Sequence, residues 1–280
     1  MRPTRLGIIG LGAIGGSLGR QAKRAGIPTV LGWSPEPAER VRAVQEGALD
    51  DAPARPEEVA ARVELLVLAA PPAANLALLD RLHSRLATAA IMTDTGSVKR
   101  SIVTRAETLR LAERFAGSHP LAGTHKSGFD ASRGDLFTNA IVYVTPARGG
   151  EGVAREIAHF WESVCHAHAV TLPAAIHDGQ LAVSSHVPQV VASLLAHFLA
   201  AQLPSGAELG PGAKDTTRLA ASDPQLWTEI LLLNRDEVLP ALRALEEPLG
   251  ALERALEAGD AKRVAEWLAA AAAWRRRVEV

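Results

Sequence analysis

The chain has 280 residues, enough for one large domain or two modest ones that bury a core without covalent staples. Thirty Lys and Arg against 31 Asp and Glu leave a net charge of −1, which excludes a general nucleic-acid binder with a basic face. One cysteine, Cys165, excludes an internal disulfide framework and suits a reducing, cytoplasmic setting. No uncharged apolar stretch is long enough to predict a membrane span, and the first apolar run is cut by glycines too early for a secretory signal.

The first strand is predicted at RLGIIG (5–10), and a helical pattern follows from Ala13 to Ala25. Between them lie Gly10-Leu11-Gly12-Ala13-Ile14-Gly15. In that strand-to-helix context Gly10 permits the turn, Gly12 lets a pyrophosphate approach the backbone, and Gly15 lets helix pack on strand. The N–H groups of Ala13 and Ile14 at the helix start would face the phosphates. A second strand, TVLGW (29–33), runs into Ser34, where a dinucleotide site for NAD usually carries an acid that binds the ribose 2′-hydroxyl. The neutral Ser34 tolerates a 2′-phosphate and Arg40 or Arg42 would add positive charge, so NADP is favoured over NAD, although Glu36 lies two residues on.

Further strands are predicted at ELLVLAA (64–70), AAIMTD (89–94), RFAGSH (114–119) and AIVYVTP (140–146). With the helical stretches between them they imply a parallel sheet covered on both faces. Ser97, in Asp94-Thr95-Gly96-Ser97-Val98-Lys99, either caps the next helix or faces the crevice at the strand ends. His119, at a strand end before the Gly-rich loop that holds His125, is placed for general-base work near neutral pH. Cys165-His166-Ala167-His168 lacks a second ligand pair at zinc spacing, and a helix-to-strand junction is expected there instead of a metal. AVTL (169–172) is the last strand.

From Pro173 onward nearly everything is helical, which places a domain boundary near 172 and an all-α domain over 173–280. A helix as apolar as 187–201 must be wrapped by others or by a second subunit. Pro188 is expected to kink it, beside Ser185 and Gln189 on one face. Arg218, in Lys214-Asp215-Thr216-Thr217-Arg218, is the best candidate to fork onto a carboxylate.

These pieces together resemble the TyrA family, the prephenate and arogenate dehydrogenases of tyrosine biosynthesis. The resemblance is carried by GLGAIGGSL (10–18), DTGSVK (94–99), GSHPLAGTHKSG (117–128), SSHVPQ (184–189) and KDTTRLAASDPQLW (214–227). It implies a Rossmann-type parallel-sheet domain followed by an all-α dimerisation domain, and a homodimer; with 280 residues, neither a mutase nor a regulatory domain is expected to be attached. It also implies oxidative decarboxylation of a cyclohexadiene, with hydride passing to the nicotinamide. His119 would accept the hydroxyl proton, and Ser97 would hold the hydroxyl and His119 in register. Arg218 would bind a substrate carboxylate, with Ser185, His186 and Trp227 lining the pocket. Prephenate-using members often have Glu at the position of His125 and a second His at that of Gln189. Both departures, with Ser34, point towards arogenate and NADP, or towards use of both substrates. Two rivals are a β-hydroxyacid dehydrogenase, for which Gly210–Lys214 would have to supply the catalytic lysine, and a non-catalytic NADP-binding dimer.

Overall fold

The computed structural model describes residues 1–123, 128–204 and 206–278. Strands β1 (Arg5–Ile9), β2 (Thr29–Trp33), β3 (Leu65–Leu68) and β4 (Ile91–Asp94) form a parallel sheet in the order β2-β1-β3-β4. Successive side chains on a strand point to opposite faces, and the core divides accordingly. Leu65 and Val67 join Leu6, Ile8 and Val30 on one face, while Leu66 and Leu68 join Ile9 and Leu31 on the other. Because both faces are covered by helices, these strands read as continuous apolar runs. Helices α1 (Ala13–Arg24), α2 (Pro37–Gln45), α3 (Pro56–Ala60), α4 (Pro72–Leu82) and α5 (Arg100–Thr108) supply the covering layers.

The sheet continues through a parallel bridge between Met92 and Phe115 into β5 (Ala116–Pro120). There it departs from the expected all-parallel arrangement. Strand β6 (Ile141–Pro146) runs antiparallel to β5, and β7 (His168–Thr171) lies parallel to β6. The cause is the connection, since parallel neighbours need a long crossover. Among the described residues the β5–β6 segment holds only a 3₁₀ turn at Phe129–Ala131, whereas α6 (Glu151–Cys165) carries the chain from β6 back to β7. Cys165 is buried and His166 ends α6 in the left-handed region at φ 53°, so the Cys165–His168 stretch is a helix-to-strand junction. Among the described residues no group of three or more His, Cys, Asp or Glu is arranged to hold a metal ion.

After β7 every element is helical: α7 (Ala174–Leu181), α8 (Val187–Gln202), α9 (Pro211–Thr217), α10 (Pro224–Leu233), α11 (Arg235–Arg243), α12 (Glu246–Glu257) and α13 (Ala261–Val278). The kink expected at Pro188 takes the form of a π-helical turn over Ala182–His186 between α7 and α8. Proline has no N–H for the carbonyl of Ser184, and the wider turn closes on a bond from Val187 N–H to Ala182 O. The run from Ala174 to Gln202 is long and apolar enough, by composition, to cross a membrane. Its polar residues His177, Asp178, His186 and Gln189 are buried and hydrogen-bonded to other parts of this chain, so one face of the run is packed into the fold.

Candidate active site

The glycine loop has the geometry expected of a dinucleotide site. Gly10 sits at φ +101°, and a Cβ on Gly15 would fall 1.8 Å from the Gly10 carbonyl oxygen, so helix and strand meet with no room for a side chain. Gly12, by contrast, faces open space, and it starts α1 without a side-chain cap. The first N–H groups of the helix, at Ala13 and Ile14, therefore have no partner within the helix and suit a pyrophosphate. Across the crevice Asn75 is fully buried; its Oδ1 accepts from Ala70 N–H at 3.0 Å, while its Nδ2 has no partner among the described residues. The glycine cradle and the spare Asn75 donor both fit such a cofactor.

At the end of β2 the side chains are arranged differently from the sequence expectation. Ser34 is buried and its hydroxyl donates to Glu39 Oε2 at 2.5 Å. Arg40, the cation proposed for a 2′-phosphate, donates through Nη1 to the Ser34 carbonyl at 2.6 Å, and Arg42 is paired with Glu46 and Asp130. The strand end therefore does carry an acid, delivered from the first turn of α2.

The second half of the site is built around His119 on β5. Its Nδ1 lies 2.9 Å from His177 Nε2, and His177 Nδ1 lies 2.7 Å from Asp178 Oδ1. The protons of this chain follow from its far end. A carboxylate only accepts, so His177 carries its proton on Nδ1, and its Nε2 is left to accept from His119 Nδ1–H. Nε2 of His119 is then an unprotonated lone pair. Burial, His177, Lys99 and His186 all push the His119 pKa well below the usual histidine value, so the ring is neutral at neutral pH. Burial tends to raise the Asp178 carboxyl, but the bonds from His177 and from the Lys99 and Arg100 N–H groups outweigh it and leave Asp178 below its usual range.

Those two N–H bonds, each 2.8 Å, are the N-terminal cap of α5. The capping role considered for Ser97 is thus filled by Asp178, from the helical half of the chain, and Ser97 stays half-buried in the loop before α5. That loop is locked to the residue beside His119. Fully buried Lys99 pairs with fully buried Asp94 and donates to Ser118 O at 2.7 Å, and Asp94 accepts from Ser118 N–H at 3.2 Å. Burial pushes the Lys99 ammonium down and the Asp94 carboxyl up, and their mutual contact opposes both shifts.

The other predicted residues group as follows. His186 is buried in the π turn, with Trp227 of α10 packed edge-on at 5.9 Å. Ser185 is half-buried beside it. Gln189 is buried, but its amide donates to Leu219 O at 2.8 Å and accepts from Ser222 at 3.4 Å, so it braces the 3₁₀ turn (Arg218–Ala221) that carries Arg218. Gln189 and Trp227 also line a cavity of about 380 Å³ between α8 and α10. Arg218 is exposed and has no ion-pair partner among the described residues. His125 lies outside the described residues. Glu39 and Asn75 in the sheet half were not anticipated, nor were three residues of the helical half: His177, Asp178 and Asn234. Of these last three, His177 and Asp178 left a signal in the sequence, an adjacent His and Asp inside an otherwise apolar helix, where unpaired burial would be costly.

Comparison with known proteins accords with this arrangement. The prephenate dehydrogenase nucleotide-binding domain family matches residues 18–170, and the prephenate dehydrogenase dimerization domain family matches 173–270. Prephenate dehydrogenase of Bacillus subtilis is 33% identical over 85% of this chain, which spans 66% of that protein, just under two thirds of its length. Cyclohexadienyl dehydrogenase of Zymomonas mobilis is 31% identical over 91% of this chain and 89% of its own. Among solved structures, prephenate dehydrogenase from Aquifex aeolicus in complex with hydroxyphenyl propionate and NAD+ superposes with a TM-score of 0.90 at 29% identity, covering 98% of both chains. Synechocystis arogenate dehydrogenase gives 0.84 at 26% identity, covering 98% of this chain and 99% of its own. A 3-hydroxyisobutyrate dehydrogenase of Mycobacterium tuberculosis gives only 0.56 at 15% identity, over 84% of this chain and 87% of its own, a likeness of fold alone. With both of its halves matched in order, this chain belongs to the prephenate dehydrogenase family.

Proposed function

We propose that the protein oxidatively decarboxylates prephenate and arogenate, with hydride passing to a pyridine nucleotide. The observation that carries this reading is the chain Asp178–His177–His119, which leaves a neutral imidazole lone pair at the end of β5. A bound nicotinamide dinucleotide supplies the hydride acceptor; Gly10, Gly12, Ala13, Ile14 and Gly15 would hold its pyrophosphate. His119 Nε2 takes the proton of the ring hydroxyl as hydride leaves the same carbon. The developing ketone then draws electrons from the ring, the carboxylate leaves as CO2, and aromatisation makes the step effectively irreversible. Ser97 holds the hydroxyl in register with His119. Arg218, with no competing carboxylate among the described residues, binds a substrate carboxylate.

Gln189 is engaged with the backbone of the Arg218 turn, which weakens its case as the group that selects arogenate. We therefore take both substrates as accepted. NADP was favoured on the neutrality of Ser34, and that argument gives way at the β2 end. The Glu39 carboxylate would repel a 2′-phosphate and grip a 2′-hydroxyl, so NAD is the proposed cofactor. The exposed apolar side chains of α8, among them Leu194 and Phe198, support a homodimer through the helical half.

The test is purified protein offered prephenate and arogenate, each with NAD and with NADP, followed by the absorbance of the reduced nicotinamide. Turnover of neither substrate overturns the proposal. In His119→Asn, turnover should fall by about 10³-fold or more while cofactor still binds. Normal turnover by that variant overturns the role of His119.

A further inference from the structure

Asn234 opens α11 and is buried against the π turn. Its Nδ2 lies 2.9 Å from the backbone oxygen of Asp178 and 3.1 Å from His186 Nδ1. A carbonyl oxygen can only accept, so the contact with Asp178 O fixes the amide with its nitrogen on that side. The second hydrogen of the same nitrogen then points at His186 Nδ1, which must accept it. A neutral imidazole that accepts at Nδ1 carries its proton on Nε2. His186 is only 1% exposed, and its Nε2 has no partner among the described residues.

A buried donor without an acceptor is costly, so an acceptor brought to it by a ligand would be held there. We infer that Asn234 is a positioning residue that holds His186 as the Nε2–H tautomer, a neutral donor reserved for an acceptor oxygen, carboxylate or hydroxyl, of the cyclohexadiene substrate. The inference rests on the dehydrogenase reading for the identity of that substrate, but the tautomer stands on the geometry alone. The titratable groups that face His186 are Asp178, His177 and His119; burial dominates them and holds the ring down to about 4, so one proton remains at neutral pH. A fixed neutral donor orients an oxygen without adding a second charge next to His119, where a cation would weaken the base.

Nitrogen-15 spectra of histidine-labelled protein report the tautomer directly, with His186→Gln identifying the signal. The wild type should show His186 as Nε2–H at neutral pH, and 4-hydroxyphenylpyruvate should shift that proton. In Asn234→Leu the two tautomers should mix and KM should rise about tenfold, with cofactor affinity unchanged. His186→Leu should lose about 10- to 100-fold in kcat/KM, and His186→Gln, which keeps an amide donor, should recover part of that loss. An Nδ1–H tautomer or an imidazolium in the wild type overturns the inference without any variant having to fold. So does mixing of the tautomers in Asn234→Leu with KM unchanged. If wild-type protein turns over neither prephenate nor arogenate, the dehydrogenase reading fails instead, and the tautomer is still decided by the spectra.

Discussion

On the proposed reading a single side chain, Glu39, sets the choice at the cofactor end. It reaches the end of β2 from the next helix and bonds to Ser34, a placement that linear spacing conceals, because the ribose-binding acid is normally sought on the strand itself. Glu39→Gln keeps the hydrogen bond to Ser34 and removes the charge. The expected outcome is a kcat/KM ratio of NADP to NAD that rises by about tenfold, one lost like-charge contact; steady-state kinetics with both cofactors measures it, and an unchanged ratio would clear Glu39 of any part in selection. The same limit explains what was legible elsewhere. His119 and the glycines announce themselves because a loop and a turn demand their residue types. His177 and Asp178 signal in the sequence only that a polar pair sits in an apolar helix, and the third dimension alone brings them against His119 and the start of α5.

At the level of elements, the sequence pattern located the seven described strands to within a few residues; β1, β3 and β4 are buried on both faces and read as apolar runs, whereas β7 is largely exposed. Strand direction was not legible. An apolar run reads the same whichever way its neighbour runs, and the antiparallel turn at β6 depends on a missing crossover helix. Pro188 was legible as a break, but its resolution into a π turn was not. That turn is where His186 acquires its orientation, so Pro188→Ala is informative. Restoring an N–H opposite Ser184 O should let the segment relax towards an ordinary α-helix. Thermal stability should hold or rise by about 1 kcal/mol, while KM for the substrate worsens about tenfold as His186 turns away. Thermal melts and steady-state kinetics on one preparation read both, and an unchanged KM would separate the π turn from binding.

On the scale of the whole molecule, burial of neutral histidines sets a pH limit on folding. His119, His177 and His186 all have pKa values lowered by burial, so the folded chain refuses protons that the unfolded chain accepts. Their contribution is fully present above the unfolded value of about 6.5 and is lost as pH falls below it, towards about 4 for His186. Melting temperature should drop steeply between about pH 6.5 and pH 5, and His186→Gln should flatten that slope; equal slopes for the two proteins would refute the assignment. Leu194 is 66% exposed and Phe198 57% on α8, an apolar surface that a second subunit would cover. Leu194→Glu should convert a dimer to monomer in sedimentation; a wild type that sediments as a monomer would end the proposed assembly.

The cap that Asp178 places on α5 has a consequence for how such an enzyme can change. The His119 atom proposed to receive the proton belongs to the sheet half of the chain, but the position of its lone pair is dictated from the helical half. The reactive group and its instruction are therefore inherited as a pair. A graft of this nucleotide-binding half onto a foreign helical partner would keep its glycine cradle. Its histidine would have no fixed tautomer unless the graft brought its own acid to the start of α5.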